Sequence, residues 1–171
     1  MSSLEVTIRL GTPEDAGGIL DCLVSTLAER VWFDRDENEM GITDPSVLKN
    51  KIREFRSGER AYIVAAQGDK ILGFILVVRG GIKSTRHTAD FGMSLLPGFR
   101  DRGIGTMLVQ AAMDWASEHG VEKLYCCTFD TNPRAVKLYE KFGFVRDGVR
   151  VKQYKIAGEY VDQIMFGKIL N

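Results

Sequence analysis

Residues that bind metals or form disulfides are scarce in this sequence of 171 residues. It has two histidines and three cysteines, and two of the cysteines are adjacent, at Cys126 and Cys127. An odd number of cysteines with this spacing fits neither a disulfide framework nor a metal site. We therefore predict no metal site and interpret Cys126 and Cys127 as strand residues that point to opposite faces of a sheet.

The chain also lacks net charge and long apolar runs. Its 23 Lys and Arg are balanced by 23 Asp and Glu, which disfavours a nucleic-acid-binding module or another polyanionic partner. No stretch approaches the ~20 apolar residues of a membrane span, and the first residues lack the basic segment and apolar run of a signal peptide. We expect a cytoplasmic protein that contacts no membrane, with one domain over residues 1–171.

Apolar periodicity and turn residues predict an α/β fold, an α+β mixed sheet flanked by helices. An acidic loop or short helix is expected between Glu29 and Met40, where the apolar pattern breaks. The other predicted elements are a strand at 6–10, helices that begin near 13 and 45, a hairpin over 61–78 and a strand at 88–96. A long helix then follows the loop 100–105 and ends at 120, before a strand at 124–129, a short helix after 132 and two final strands that turn at 157–158.

A basic, glycine-bearing loop precedes the long predicted helix. Gly103 and Gly105 allow the backbone to approach a bulky anion, which the helix N-terminus, Arg100 and Arg102 would attract. The same pattern also fits a dinucleotide-binding fold or a tight turn. Leu108 stands where a dinucleotide fingerprint needs its third glycine, so that fold is disfavoured.

A second motif follows one strand later and completes a family resemblance. The order strand, Arg-x-x-Gly-x-Gly from Arg100, helix, strand, then Asn-x-x-Ala-x-x-Leu-Tyr-x-x-x-Gly-Phe from Asn132 resembles the GNAT superfamily of N-acetyltransferases. The resemblance is close between Thr88 and Phe144. It implies a central mixed, mostly antiparallel sheet in which a splayed strand pair forms the acetyl-CoA cleft.

The resemblance also implies the residues that hold acetyl-CoA and act on it. The backbone of one strand would pair with the pantetheine arm, the basic loop would hold the pyrophosphate, and Tyr139 would be the general acid for the leaving thiolate. Tyr139 shares a helical face with apolar residues, and a phenol of pKa about 10 is protonated at neutral pH. The implied cofactor residues are Met93, Ser94, Leu95, Arg100, Asp101, Arg102, Gly103, Ile104, Gly105, Thr106, Asn132, Ala135 and Tyr139.

The general base is less clearly marked. Some GNAT members that modify protein termini have a Glu five residues before the Asn, where this chain has Cys127. Asp90, at the start of the strand expected to carry the cofactor, is the main candidate, and a salt-bridged strand end is its alternative interpretation. Asp34, Asp36 and Glu37 are further candidates, although their charges also suit a solvated loop.

The acceptor is expected to be a small amine. The segments His87-x-Ala89-Asp90-Phe91-Gly92 and Gly158-Glu159-Tyr160-Val161-Asp162-x-x-Met165 resemble the branch of polyamine and amino-acid acetyltransferases. A polyamine would be bound by Trp32, Phe33, Asp34 and Glu37, whereas an amino acid would need Arg35 or Lys83 for its carboxylate.

The sequence leaves two alternative functions open and also suggests an assembly state. The alternatives are acetylation of protein N-termini or lysines, which requires an open groove, and a non-catalytic acyl-CoA-binding module. An intact Tyr139 argues against the module, and the missing Glu argues for it. Glycine-rich strand edges and the C-terminal strands suggest a homodimer.

Overall fold

The computed structural model describes residues 5–29, 44–55 and 58–170. Its strands and longer helices, in chain order, are β1 (Thr7–Leu10), α1 (Ala16–Leu27), α2 (Pro45–Glu54), β2 (Arg60–Gln67), β3 (Lys70–Arg79), β4 (Thr88–Leu95), α3 (Ile104–Glu118), β5 (Lys123–Phe129), α4 (Pro133–Lys141), β6 (Val145–Ile156) and β7 (Glu159–Ile169).

The strands form one seven-stranded sheet in the order β1-β2-β3-β4-β5-β7-β6. All neighbours are antiparallel except β4 and β5, which are parallel. The predicted fold class, a mixed and mostly antiparallel sheet flanked by helices, is therefore confirmed. The connection between β4 and β5 runs through α3, as a parallel pair requires.

Local sequence signals explain where these elements begin and turn. The Asp44 carboxylate accepts a hydrogen bond of 2.8 Å from the Ser46 amide, and Pro45 occupies the first position of α2. The hairpin between β2 and β3 turns at Gly68, which has φ of 57°. The turn between β6 and β7 lies at Ala157 and Gly158, both with positive φ, as the sequence predicts.

Helices cover both faces of the sheet and produce two apolar cores. On one face, α3 and α4 pack against residues such as Ile75, Phe91 and Phe166. On the other, α1 and α2 pack against a smaller cluster that includes Val64 and Phe74. These two faces are called the α3 face and the α1 face below.

The helices of the described ranges contain no segment long and apolar enough to cross a membrane.

Candidate active site

An opening through the sheet separates β4 from β5. The two strands pair only from Thr88 to Asp90 with Lys123 to Tyr125, although β4 continues to Leu95 and β5 to Phe129. Beyond this short ladder, β4 stays paired with β3, and β5 with β7. The splayed ends line a cavity of about 720 Å³.

The edge of β4 inside this opening presents backbone groups to the cavity. The Leu96 amide donates to the Leu72 carbonyl, and the Gly80 amide donates to the Thr88 carbonyl. In an antiparallel pair, therefore, the backbone groups of even-numbered β4 residues point to β3, and those of odd-numbered residues point to the opening. An extended ligand can add to such an edge like another strand.

Because of this alternation, not all of the predicted pantetheine-binding residues present their backbone groups to the opening. The backbone of Met93 and Leu95 faces the opening, whereas that of Ser94 faces Phe74 of β3. The Leu95 carbonyl also accepts a hydrogen bond of 3.3 Å from Arg100. Pairing with an extended arm is thus best supplied by Met93 and Leu95, and Ser94, 4% exposed, contributes to the lining instead.

The N-terminus of α3 lies at one end of the cavity. Gly103 is its N-cap with φ of 80°, a conformation that favours glycine. Gly103, Gly105 and Thr106 line the cavity, and the first amides of a helix lack intrahelical partners, so they can bind an anion there. Arg100, whose guanidinium pairs with Glu29 at 2.8 Å, adds positive charge.

The space beside Gly105 depends on the absence of a side chain. A Cβ at this position would lie 3.3 Å from Leu138 Cδ2, 3.4 Å from Leu95 Cδ1 and 3.6 Å from Met93 Cε. These three side chains line the cavity, so a larger residue at position 105 would press against them. The free amides at the start of α3 fit an anionic group such as the diphosphate of coenzyme A.

Three other predicted loop residues have separate positions. Asp101 lines the cavity and pairs with Arg134 at 3.2 Å. Arg102 does not line it, because its guanidinium lies over the Phe99 ring at 5.3 Å. The side chain of Ile104 is 3% exposed and packs in the core of the α3 face.

Tyr139 lies on the α3 face of the opening. Its side chain is 5% exposed, and its ring packs edge-on against Phe91 and Phe166, each with centroids 5.6 Å away. Burial, helped by the nearby Cys126 thiol, raises the pKa of the phenol well above its usual value. Tyr139 is therefore protonated at neutral pH and can donate its proton into the cavity that it lines.

Asp90 approaches the opening from the opposite face. Successive strand residues point to opposite sides, so Phe91 packs on Tyr139 while Asp90 projects to the α1 face. The Asp90 side chain is reached by solvent from the cavity, but the protein atoms around it limit its hydration and raise the pKa of its carboxyl to about 6. An acid and a base thus lie on the two sides of one opening.

The known proteins that this chain resembles share this arrangement of elements. The sequence profile of the Acetyltransferase (GNAT) family matches residues 26–144, more than half of the chain. The chain belongs to the GNAT family. Acetyl-CoA is the acyl donor of these acetyltransferases, so the expectation of an acetyl-CoA-dependent N-acetyltransferase is confirmed.

Individual relatives of this GNAT chain include two curated enzymes and one solved structure. Spermidine N(1)-acetyltransferase of Vibrio cholerae is 28% identical over 120 residues, 67% of this chain and 68% of the relative. L-amino acid N-acetyltransferase AaaT of Escherichia coli is 25% identical over 115 residues, 67% and 70% of the two chains. The structure of yncA from Salmonella typhimurium with acetyl-CoA aligns with a TM-score of 0.87 at 15% identity, over 98% and 95% of the chains.

The second GNAT motif places Asn132 and Ala135 at the start of α4. The Asn132 side-chain oxygen accepts a hydrogen bond of 3.2 Å from the Ala135 amide, so Asn132 is the N-cap. Both residues also line the cavity. Their contact with the pantetheine arm stays a prediction of this GNAT site.

The predicted acceptor residues fall mostly outside the described ranges. Trp32, Phe33, Asp34 and Glu37 lie outside the described residues, as do Arg35 and Asp36. Lys83 is described, lies in a short 3₁₀ helix and does not line the cavity.

Sequence reasoning missed several residues of the GNAT cavity, including five on β5, β6 and β7. One available signal was a polar residue inside an otherwise apolar strand, as Gln163 is in β7. Another was the position of Cys127, which follows the strand alternation onto the face of Asp90. The missed lining residues of this region are Cys127, Thr128, Phe129, Tyr154 and Gln163.

Proposed function

We propose that this GNAT enzyme acetylates a primary amine of a small molecule by direct attack in a ternary complex. Acetyl-CoA supplies an acetyl group that its thioester linkage activates toward amines. The main support is the opening between β4 and β5, where Asp90 and Tyr139 lie on opposite faces. An amine that enters from the α1 face meets the base first, and Tyr139 stands on the far side.

Asp90 and Tyr139 each transfer one proton in the proposed reaction. The Asp90 carboxylate accepts a proton from the attacking nitrogen, directly or through water, because an ammonium of pKa about 10 is not nucleophilic. The Tyr139 hydroxyl donates its proton to the departing sulfur. The backbone of Met93 and Leu95 and the N-terminus of α3 hold the donor in place.

The charges of the acceptor end favour a cationic amine over an amino acid. Two acidic residues are among the described residues that line the cavity: Asp101 is paired with Arg134 at 3.2 Å, whereas Asp90 has no ion pair within the described part of the chain. Of the cations that line the cavity, Arg100 is paired with Glu29 after the end of α1, and Arg134 and two lysines belong to α4. A polyamine such as spermidine, the substrate named for a relative, suits this charge distribution.

We expect the purified enzyme to prefer spermidine to free amino acids by about tenfold in kcat/KM, an electrostatic preference of ~1.4 kcal/mol. Release of coenzyme A thiol would be measured with acetyl-CoA and a panel of polyamines, amino acids and short peptides. Preference for peptides would favour the alternative of protein acetylation. Acetyl-CoA binding without turnover of any amine would favour the non-catalytic module.

Asp90→Asn is expected to lower kcat/KM about a hundredfold at pH 7 through loss of a general base. The wild-type profile of log kcat/KM against pH should bend near pH 6, because Asp90 is a base only when deprotonated. The bend should be missing in the variant. A variant profile that keeps the bend would exclude Asp90 as the base.

Stability provides the control for this substitution. The pKa of Asp90 is raised in the folded protein, so ionisation favours unfolding, and the Asp90 contribution to the free energy of unfolding falls as pH rises from about 4 to about 6. Asp90→Asn removes this loss, so the variant should be at least as stable as the wild type at pH 7. Reduced activity would then reflect chemistry rather than unfolding.

The homodimer and the cytoplasmic location stay predictions. The homodimer is supported by β6, a terminal strand of the sheet on which Val145, Val149 and Val151 are exposed.

A further inference from the structure

Gln163 is a buried polar side chain in the interior of β7. It is 7% exposed, while its neighbours Ile164 and Phe166 belong to the apolar core. A buried amide is costly unless its oxygen and nitrogen are both hydrogen-bonded. Gln163 also lines the cavity, so its partners belong to the candidate active site or its surroundings.

Both ends of the Gln163 amide have partners. Its oxygen accepts a hydrogen bond of 3.1 Å from Arg150 Nη1. Its nitrogen donates to Cys127 Sγ at 3.1 Å and to Tyr154 Oη at 3.2 Å. A guanidinium can only donate, so Arg150 fixes which end of the amide faces it, and the nitrogen must face the cysteine and the tyrosine.

A bulge in β6 brings these partners together. Arg150 is opposite Gln163 and Tyr154 is opposite Val161, so four steps along β6 match two along β7. Lys152, inside the bulge, has φ of 52°, and its amide donates to the Asp162 carboxylate at 2.6 Å. Bulges of this kind redirect side chains, here that of Tyr154 toward the cavity.

The redirected tyrosine forms an aromatic wall with Phe129. Their ring centroids are 5.1 Å apart, and both residues line the cavity. Phe129 is the register partner of Gln163 and shares the face of Cys127 and Asp90. The wall therefore lies on the same face of the sheet as the candidate base.

We propose that Gln163 is a positioning residue of the acceptor subsite, and this inference rests on the proposed amine acetylation. By holding the Tyr154 hydroxyl and the Cys127 thiol, Gln163 fixes the wall of Phe129 and Tyr154 against which the carbon chain of the amine lies. Arg150 acts behind it by setting the orientation of the amide. The predicted donor contacts of β4 and of the start of α3 lie on other elements than this network.

The first test replaces Gln163 with methionine, which has a similar shape but cannot form these hydrogen bonds. With spermidine and L-leucine as acceptors, we expect the acceptor KM to rise about tenfold, as loss of buried hydrogen bonds implies, while the KM for acetyl-CoA changes less than about twofold. Gln110→Met is the matched control, because Gln110 is exposed on α3 and bonds to Asp114.

Gln163→Glu separates orientation from donation. A glutamate keeps the oxygen that faces Arg150 and replaces the donating nitrogen with an oxygen, which can only accept a hydrogen bond from the Tyr154 hydroxyl or the Cys127 thiol. We expect this variant to raise the acceptor KM less than Gln163→Met does, and Tyr154→Phe combined with Gln163→Met to add less than the sum of the single effects.

The outcomes distinguish this inference from the proposed function. An unchanged acceptor KM in Gln163→Met, or an equal rise in both KM values, would overturn the positioning role while amine acetylation stands. Absence of wild-type turnover with every amine of the panel, despite acetyl-CoA binding by calorimetry, would overturn the proposed function and the inference with it. Thermal unfolding of each variant checks that the fold is retained.

Discussion

Replacing Tyr139 with phenylalanine is expected to lower kcat about a thousandfold, within the range for loss of a general acid. Only the hydroxyl is removed. The ring contacts with Phe91 and Phe166 remain, so the packing around α4 should be preserved. The KM for acetyl-CoA should change little, because the predicted donor contacts are the backbone of β4 and the start of α3.

Burial of the Tyr139 phenol adds an expectation about the pH dependence of the rate. The raised pKa of Tyr139 keeps the phenol protonated across the neutral range. Ionisation of Tyr139 should therefore cause no loss of wild-type rate below pH 9. Single-turnover measurements of thiol release, with binding of acetyl-CoA followed by calorimetry, separate chemistry from binding. Normal turnover by a variant that still binds acetyl-CoA would remove Tyr139 as the acid.

Cys126 offers a control for the surroundings of this hydroxyl. It is 2% exposed, and its thiol lies close enough to Tyr139 to help raise the pKa of the phenol. Cys126→Ser keeps a hydrogen-bonding group of similar size at this position. A modest loss of rate in Cys126→Ser beside a large loss in Tyr139→Phe would assign the effect to proton donation rather than to local packing.

The sequence could predict those parts of the site that depend on residues close together in the chain. The loop from Arg100 to Gly105 and the cap at Asn132 each depend on residues within one turn of each other. The turns at Gly68 and Gly158 follow from backbone preferences at single positions. Such features need no knowledge of which strands become neighbours.

The parts that sequence could not predict depend on distant pairings. That Ser94 faces β3 with its backbone follows from the register of β4 against β3. The contact of Gln163 with Tyr154 requires a bulge whose position is fixed only when β6 and β7 pair. The raised pKa of Asp90 likewise depends on how far β4 and β5 separate, which no local pattern encodes.

The opening between β4 and β5 connects the two faces of the sheet on which Asp90 and Tyr139 lie. A continuous sheet would separate its two faces, and a base on one face could not act with an acid on the other. Here, the short ladder at Asp90 ends where the strands diverge, so that both faces reach the same cavity. In the proposed reaction, the acceptor therefore binds on the α1 face and Tyr139 acts from the α3 face.

Gly105→Val is expected to raise the KM for acetyl-CoA at least about a hundredfold, which corresponds to a loss of ~2.7 kcal/mol of binding free energy. An added Cβ already approaches Leu138 and Leu95 to 3.3 and 3.4 Å, and two further methyl groups would displace these lining side chains into the cavity beside the start of α3. Calorimetry with coenzyme A would measure the loss directly, without depending on any acceptor.

Gly17→Val is the matched control for this substitution. Gly17 lies in the first turn of α1, where an added Cβ meets nothing within 4 Å, so both variants carry a similar cost in helix propensity. Because Leu138, Leu95 and Met93 line a cavity, they can shift, and Gly105→Val should remain folded. Gly105→Ala, which adds the Cβ alone, should give an intermediate affinity. Wild-type affinity for coenzyme A in Gly105→Val would show that the diphosphate does not bind beside Gly105.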